Sequence, residues 1–495
     1  MSVELNTKIE NNAVGWCFDN SYARLPESFY VPIRPVPVRM PRVAILNYAL
    51  AESLGLDLHV LTEDEAALLF SGNVLPDAAQ PVAQAYAGHQ FGSFTLLGDG
   101  RAILLGEHLT PDGGRVDIQL KGSGRTPFSR RGDGRAALAP MLREYIISEA
   151  MHALGIPSTR SLTVVTTGET VMRETPLPGA VLTRVAASHI RVGTFEYIAL
   201  KGGTEGVKIL ADYTIQRHYS EFAGEDNPYL ALLNGVIARQ ASLVARWMLI
   251  GFIHGVMNTD NMAVSGETID YGPCAFMDEF DPQTVFSSID YHGRYCYSNQ
   301  SRIAQWNLAR FAETLLPLLH TEQEQALVLA EEAIRMFPDI FQRYWMAGMR
   351  KKLGLFTEET EDHLLIEALL TLMHKHQADY TNSFRALSDE HLPEGNLFRD
   401  AAFAAWHTQW RGRLSHQAEP LQASFDLMRA NNPAILPRNH RVEEALNAAS
   451  EHGDYTVLKR LLAAVAEPYA DVPEYDAYRT PPAASERVQQ TFCGT

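Results

Sequence analysis

The sequence predicts an α+β fold in two lobes, a small β-rich one followed by a mostly helical one, with an extension at each end. Three observations predict it. Between Phe94 and Ala186 apolar residues come in short alternating runs separated by glycine and aspartate turns, the texture of strands. From about residue 205 to Ala466 they recur at helical spacing instead. Within that helical part, the apolar segment ASLVARWMLIGFI runs into a polar stretch, HGVMNTDNMAVSGETIDYGP, from His254 to Pro273. The divisions that follow are 1–85 for an N-terminal extension, 86–195 for the β-rich lobe, 196–430 for the helical lobe, and 431–495 for C-terminal helices and a tail.

Taken in order, prolines punctuate residues 26 to 41, so this part is expected to be extended and wrapped on something else. Two short helices are expected around Ala44 to Leu54 and Glu63 to Phe70, then a tight connection at YAGHQFG, Tyr86 to Gly92. FTLLGDGRAILLGEHL reads as two strands around a turn, Gly98-Asp99-Gly100-Arg101. RVDIQLKG is a third strand, and the alternation of Val116, Ile118 and Leu120 puts Lys121 on the opposite face, in line with Gln119. A glycine- and arginine-rich loop follows. Residues 121 to 143 hold six Lys or Arg against one Asp, a net +5 inside a chain of −17, which points to bound phosphates. The helix ALAPMLREYIISEAMHALG carries Glu144 and stops at Gly155 and Pro157. Two more strands place Arg184 near the end of the second, and a helix opens around Arg191. Past His254, Met262 to Val264 and Thr268-Ile269 read as a hairpin with Asn261 and Asp270 side by side at its open end. A loop from Glu279 to Gln300 then precedes the remaining helices, the last recognisable pair lying between Arg441 and Ala466.

Composition narrows the function. A formal charge of −17 argues against general nucleic-acid affinity, which needs a positive footprint. No apolar run approaches the ~20 residues that span a bilayer, and MSVELNTKIENN has no secretory pattern. The four cysteines, Cys17, Cys274, Cys296 and Cys493, show no C-x-x-C spacing, so the expected compartment is a reducing cytoplasm; the chain is expected to be a monomer.

The chemistry gathers around a few residues. An Asn oxygen (Asn261) and a carboxylate (Asp270) make half of a Mg²⁺ site that water and phosphates complete. The order of glycine turn, strand lysine, helix glutamate, strands, helices, Asn and Asp-Tyr-Gly matches the protein-kinase arrangement. The mismatch is the base. Five residues before Asn261, where a kinase has its catalytic Asp, this chain has Val256, which cannot accept a proton; Asp260 is the nearest carboxylate.

With these departures the chain resembles the selenoprotein O family, protein adenylyltransferases of pseudokinase fold. YAGHQFG, LGDGRAILLGE, QLKGSGRTPFSRRGDGRA, LREYIISEAMHALGI, HGVMNTDNM, IDYGP and NPAILPRNH carry the resemblance across essentially the whole chain. It implies ATP bound in an orientation inverted relative to kinases, with Mg²⁺ or Mn²⁺, and AMP passed to a Ser, Thr or Tyr hydroxyl of a protein substrate. It implies further that Gly98, Gly100 and Arg101 contact the nucleotide and that Lys121, oriented by Glu144, holds phosphate. Asp133 and Gly134 would face the nucleotide's other end, and Arg184 and Arg191 would grip phosphate oxygens. Asp260 would be the general base, and Asn261 and Asp270 the metal ligands. Members often end in a redox-active cysteine, here Cys493, for which Cys274 and Cys296 are the candidate partners. Two other readings stay open on the residues alone: a small-molecule phosphotransferase using Asp260, and an ATP-binding scaffold without catalysis, which Val256 favours.

Overall fold

The computed structural model describes residues 14–492. An antiparallel sheet forms the first lobe. Its strands are β1 (Tyr30–Pro32), β2 (Arg42–Leu46), β3 (Val82–Gln84), β6 (Ala102–Leu109), β7 (Arg115–Lys121), β9 (Arg160–Met172) and β10 (Pro176–Ala186), with the short β8 (Ala136–Ala137) beside β10. They run in the spatial order β1-β3-β6-β7-β10-β9-β2. The two remaining strands of this region, β4 (Ala87–Gln90) and β5 (Ser93–Leu96), pair only with each other. A partner strand on each side explains why β7, β9 and β10 read as strong strands. Ile118, Leu120, Leu162, Val165, Val181 and Val185 turn one way into a core shared with the Glu63–Phe70 helix. That helix begins with a capping box in which Thr62 and Glu65 satisfy each other's backbone N–H groups.

The other face of the sheet carries the Leu138–Ala153 helix. Met141, Leu142, Tyr145, Ile146 and Met151 are all buried in the largest core, which continues into the helical lobe. The C-terminal helices Asn439–His452 and Thr456–Ala466 pack against it from behind. The helical lobe is built around Pro228–Leu249, capped by Asn227 with a proline at its start, and packs against Gln300–Leu319 and Phe337–Lys352. A second core sits under the C-terminal half, around Trp406, Trp410, Phe384 and Met349. Among the described residues, no helix is long and apolar enough to cross a membrane.

Three local expectations are corrected. The runs flanking Gly98-Asp99-Gly100-Arg101 do not pair with each other: β5 folds back on β4, whereas β6 pairs with β3 and β7. Met262–Val264 and Thr268-Ile269 do not form a hairpin either. Val192 and Val264 donate to Met262 and Ile190, and Thr159 donates to Thr268, so each run is held by a different neighbour. The Ala44 to Leu54 region is not one helix. Val43 to Leu46 join the sheet edge, and the helix is confined to Tyr48–Ser53 behind an Asn47 cap. Each error involves a short apolar run, for which periodicity does not separate strand from helix or name the partner.

Candidate active site

A cleft of 340 Å³ lies between the sheet and the His254–Pro273 stretch. All twelve site residues expected from the sequence line it.

Its centre is a cluster of ions. Lys121, last residue of β7, donates to Glu144 at 2.6 Å and to Asp270 at 2.9 Å. Arg184 on β10 reaches Glu144 through Nε at 2.8 Å and Asp270 through Nη2 at 2.5 Å. Arg191, which precedes the Val192–Lys201 helix, donates to the other Asp270 oxygen at 2.6 Å and to the Asp260 backbone carbonyl at 2.8 Å. Local folding explains the convergence. Strand alternation sends Lys121 and Gln119 to one face, and the i, i+3 spacing of Met141 and Glu144 puts both on the cleft side of their helix. Arg184, Arg191, Glu144 and Lys121 are all buried. Burial alone would raise the Glu144 and Asp270 carboxyls, but the adjacent cations outweigh it and hold Glu144 low and Asp270 well below the usual carboxylate range. Asp270 also adopts a left-handed backbone, φ +63°.

Asp260 is different. It is 7% exposed, and its Oδ1 is buried without a hydrogen-bond partner. Burial pushes its carboxyl up to about 7, against the pull of Arg191. The β4–β5 hairpin seals it: a Cβ on Gly88 would stand 2.2 Å from Asp260 Oδ1. On the same contact surface the Thr259 hydroxyl accepts from the His89 N–H at 2.7 Å and donates to Glu196 at 2.6 Å. Next to it, the amide nitrogen of Asn261 is committed to the Val256 carbonyl at 2.9 Å, which leaves its oxygen as the atom open to a cation. Among the described residues, no group of three or more His, Cys, Asp or Glu side chains is arranged to hold a metal. The donors on offer are thus the Asn261 amide oxygen and the Asp270 carboxylate. This sparse all-oxygen set suits a hard cation that takes its other ligands from phosphates and water.

The glycine turn and the basic loop close the opposite end. Gly98 has φ +120°, and a Cβ there would strike the Phe128 ring at 2.4 Å. The Thr126 hydroxyl donates to the Asp99 carbonyl at 2.6 Å and Ser129 donates to the Gly100 carbonyl, so the two loops form one wall. Asp133 pairs with Arg173 at 3.0 Å. Gly134, at φ +72°, has the Gly124 backbone 2.2 Å from where a Cβ would sit. Arg101 lines the same wall.

Sequence reasoning left several lining residues without a role. Tyr86 lies under the Arg191 guanidinium, 4.6 Å from ring centroid to Cζ. Asp99 is buried with one unpartnered oxygen, and burial raises it to about 6. Asn258 accepts from Phe91 N–H and the Tyr295 hydroxyl. The glycine-rich YAGHQFG run was the available signal, since a glycine between buried neighbours marks a close backbone approach. The Cys493 expectation falls outside the described residues; Cys274 and Cys296 are both buried.

Comparison with known proteins agrees in extent with this geometry. The family model described as protein adenylyltransferase SelO matches residues 13–466. A protein nucleotidyltransferase YdiU of Syntrophotalea carbinolica is 64% identical over 481 residues, covering 97% of this chain and 98% of that one. A protein of the same description from Nitrosococcus oceani is 61% identical over 490 residues, 99% of each chain. A third, from Brevibacillus brevis, is 62% identical over 481 residues, 97% of this chain and 98% of that one. Family match and relatives alike span nearly the whole chain, two-lobed fold and cleft included, so this protein is a nucleotidyltransferase belonging to the SelO family of protein adenylyltransferases.

Proposed function

We propose that the cleft transfers AMP from ATP to a Ser, Thr or Tyr hydroxyl of a protein, releasing pyrophosphate, with Asp260 as general base and Asn261 and Asp270 holding Mg²⁺ or Mn²⁺. The observation that carries this reading is the ion cluster: Lys121, Arg184 and Arg191 all end on Asp270. These three cations need an anion, and Asp270 is the one that a divalent cation would also claim. With Asp270 shared with a metal, their N–H groups would be free to hold phosphate oxygens. Arg184 and Arg191 then clamp the phosphates through planar forks and Lys121 through a point charge. When bound, Mg²⁺ supplies Lewis-acid stabilisation of charge on those oxygens.

Glu144 keeps Lys121 and Arg184 in place, since it pairs with both. Val256 leaves the kinase base position without a proton acceptor, whereas Asp260 is the carboxylate next to Asn261 that lines the cleft. It takes the hydroxyl proton as the oxygen attacks the α-phosphorus and the bond to the pyrophosphate oxygen breaks. The departing pyrophosphate is stabilised by positioned charge, a task suited to preorganised cations. The glycine turn, Arg101, Asp133 and Gly134 would receive the rest of the nucleotide. Expected compartment and assembly are the cytoplasm and a monomer.

The test is label transfer from ATP carrying radioactive phosphorus at the α or the γ position, with the protein itself and a cell extract as acceptors. Protein label from α-ATP alone, lost in Asp260→Ala and Asp270→Ala, is the expected result. Protein label from γ-ATP would replace this reading with phosphoryl transfer, and tight ATP binding without transfer would leave a scaffold.

A further inference from the structure

A second cavity, of 510 Å³, opens beside the first, on the far side of Asn258. Phe91, Asp290, Tyr291, Arg294, Arg302 and Trp306 line it. It is tied to the catalytic loop in two ways. Asn258 Oδ1 accepts both the Phe91 N–H at 3.0 Å and the Tyr295 hydroxyl at 2.6 Å, and Phe91 and Tyr295 pack ring to ring at 5.0 Å. On the other wall Trp306 meets His89 edge-on at 5.3 Å, and His89 pairs with Glu196, which accepts from Thr259 next to Asp260. A chain lying in this groove therefore runs beside the loop that carries Asn258, Thr259 and Asp260.

The lining is basic and aromatic in an acidic protein of formal charge −17. The Asp290 carboxylate is used up on the Arg294 and Tyr295 backbone N–H groups, at 2.9 and 2.8 Å. Neither Arg294 nor Arg302 makes an ion pair among the described residues, and Arg294 Nε is buried with no hydrogen-bond partner. Arg294 lies over the Trp306 indole at 5.0 Å, with Arg310 over the same ring at 5.2 Å. At the rim, Tyr291 is 84% exposed and Ile289 48%. Uncommitted guanidinium groups beside an exposed aromatic fit a peptide carrying an acidic side chain next to an apolar one.

We propose that this groove seats the acceptor polypeptide, with Arg294 and Arg302 gripping an acidic side chain close to the modified hydroxyl and Tyr291 covering an apolar neighbour. The assignment rests on the acceptor being a protein, as the reaction above requires. The electrostatic part sets which acceptors bind, and the shared Asn258 sets where their hydroxyl arrives.

The experiment uses the full chain and two fluorescent peptides with the same central serine, one flanked by glutamate and leucine, the other by lysine and leucine. Fluorescence anisotropy with Mg-ATP present is expected to show the acidic peptide bound about tenfold more tightly. Arg302→Glu should abolish or invert that ratio, and Tyr291→Ala should weaken both peptides about threefold without changing it. Calorimetric Mg-ATP affinity and thermal midpoint should match the parent in both variants, since both side chains are exposed and outside the nucleotide cleft. Equal binding of the two peptides by the parent, or an unchanged ratio in Arg302→Glu, would overturn the proposal. So would a dimer in sedimentation that Arg302→Glu dissolves, which would give the groove to a second copy of this chain. Transfer of α-label to the peptides is scored separately: charge-selective binding without label would sustain the groove and overturn the transfer chemistry.

Discussion

Asp260 and Gly88 form a pair in which one residue's absence of a side chain makes room for the other's carboxylate. Gly88→Ala should therefore behave as a positional lesion of Asp260. Transfer is expected to fall by about a hundredfold, the usual scale for a displaced general base, while calorimetric Mg-ATP affinity stays within about twofold. Equal loss of both would place the damage in the nucleotide cleft instead. Lys352 gives a residue-scale prediction about stability. It is 2% exposed, its ammonium lies 4.2 Å from the Phe384 ring centroid, and burial pushes its pKa down to about 7. The folded state thus binds a proton less readily than the unfolded chain, so stability rises with pH between about 7 and about 10.5 and the charged form is penalised below that window. Lys352→Met should be more stable than the parent at pH 7 and below by a few kcal/mol, and the gap should close as pH rises. Urea unfolding at several pH values checks this, and a constant gap would refute it.

At the scale of elements, the Leu138–Ala153 helix carries more than Glu144. Its Arg143 donates to the Cys274 carbonyl at 2.7 Å and the Gly272 carbonyl at 3.3 Å, and pairs with Glu443 of the C-terminal helix at 3.0 Å. One side chain thus ties the glutamate helix, the segment after Asp270 and the C-terminal helices together. Arg143→Ala should cost about 1–3 kcal/mol and reduce kcat more than Mg-ATP affinity. Glu443→Gln, which leaves the carbonyl contacts in place, should be nearly silent, and an equally large loss there would shift the emphasis to the ion pair. Elements were legible where periodicity was long: the lysine strand, the glutamate helix and the helical lobe follow from spacing alone. They were illegible where a short run had to choose a partner. The Val43 to Leu46 run could be strand or helix until β9 offered an edge, and Met262 to Val264 could not announce that Ile190 and Val192 would flank it. The cleft lining stayed readable through these errors because the strand ending in Lys121, the helix carrying Glu144 and the stretch holding Asp260, Asn261 and Asp270 follow one another in the order read from the sequence. The groove beyond Asn258 was invisible because its walls, Phe91 and Trp306, are far apart in sequence.

For the whole molecule, the tail closes onto what the middle of the chain built. Thr491 N–H donates to the Phe286 carbonyl at 2.8 Å and its carbonyl accepts from Ser288. Its buried hydroxyl donates to the Pro273 carbonyl at 2.6 Å, and Arg487 pairs with Glu279. Replacing residues 487–492 by a glycine-serine stretch should speed amide exchange across 279–298 and leave exchange in the sheet unchanged; uniform protection would show that the loop stands without the tail. That contact has a further consequence in time. The hydroxyl that caps the Pro273 carbonyl is made 218 residues after it. During synthesis, where folding proceeds from the N-terminus, the sheet, the ion cluster and the helical lobe can all be complete while this loop still lacks its bridge to Thr491. The segment beside the groove beyond Asn258 is thus the last to be finished, and a nascent chain passes through a stage with its cleft built and its neighbouring wall still open.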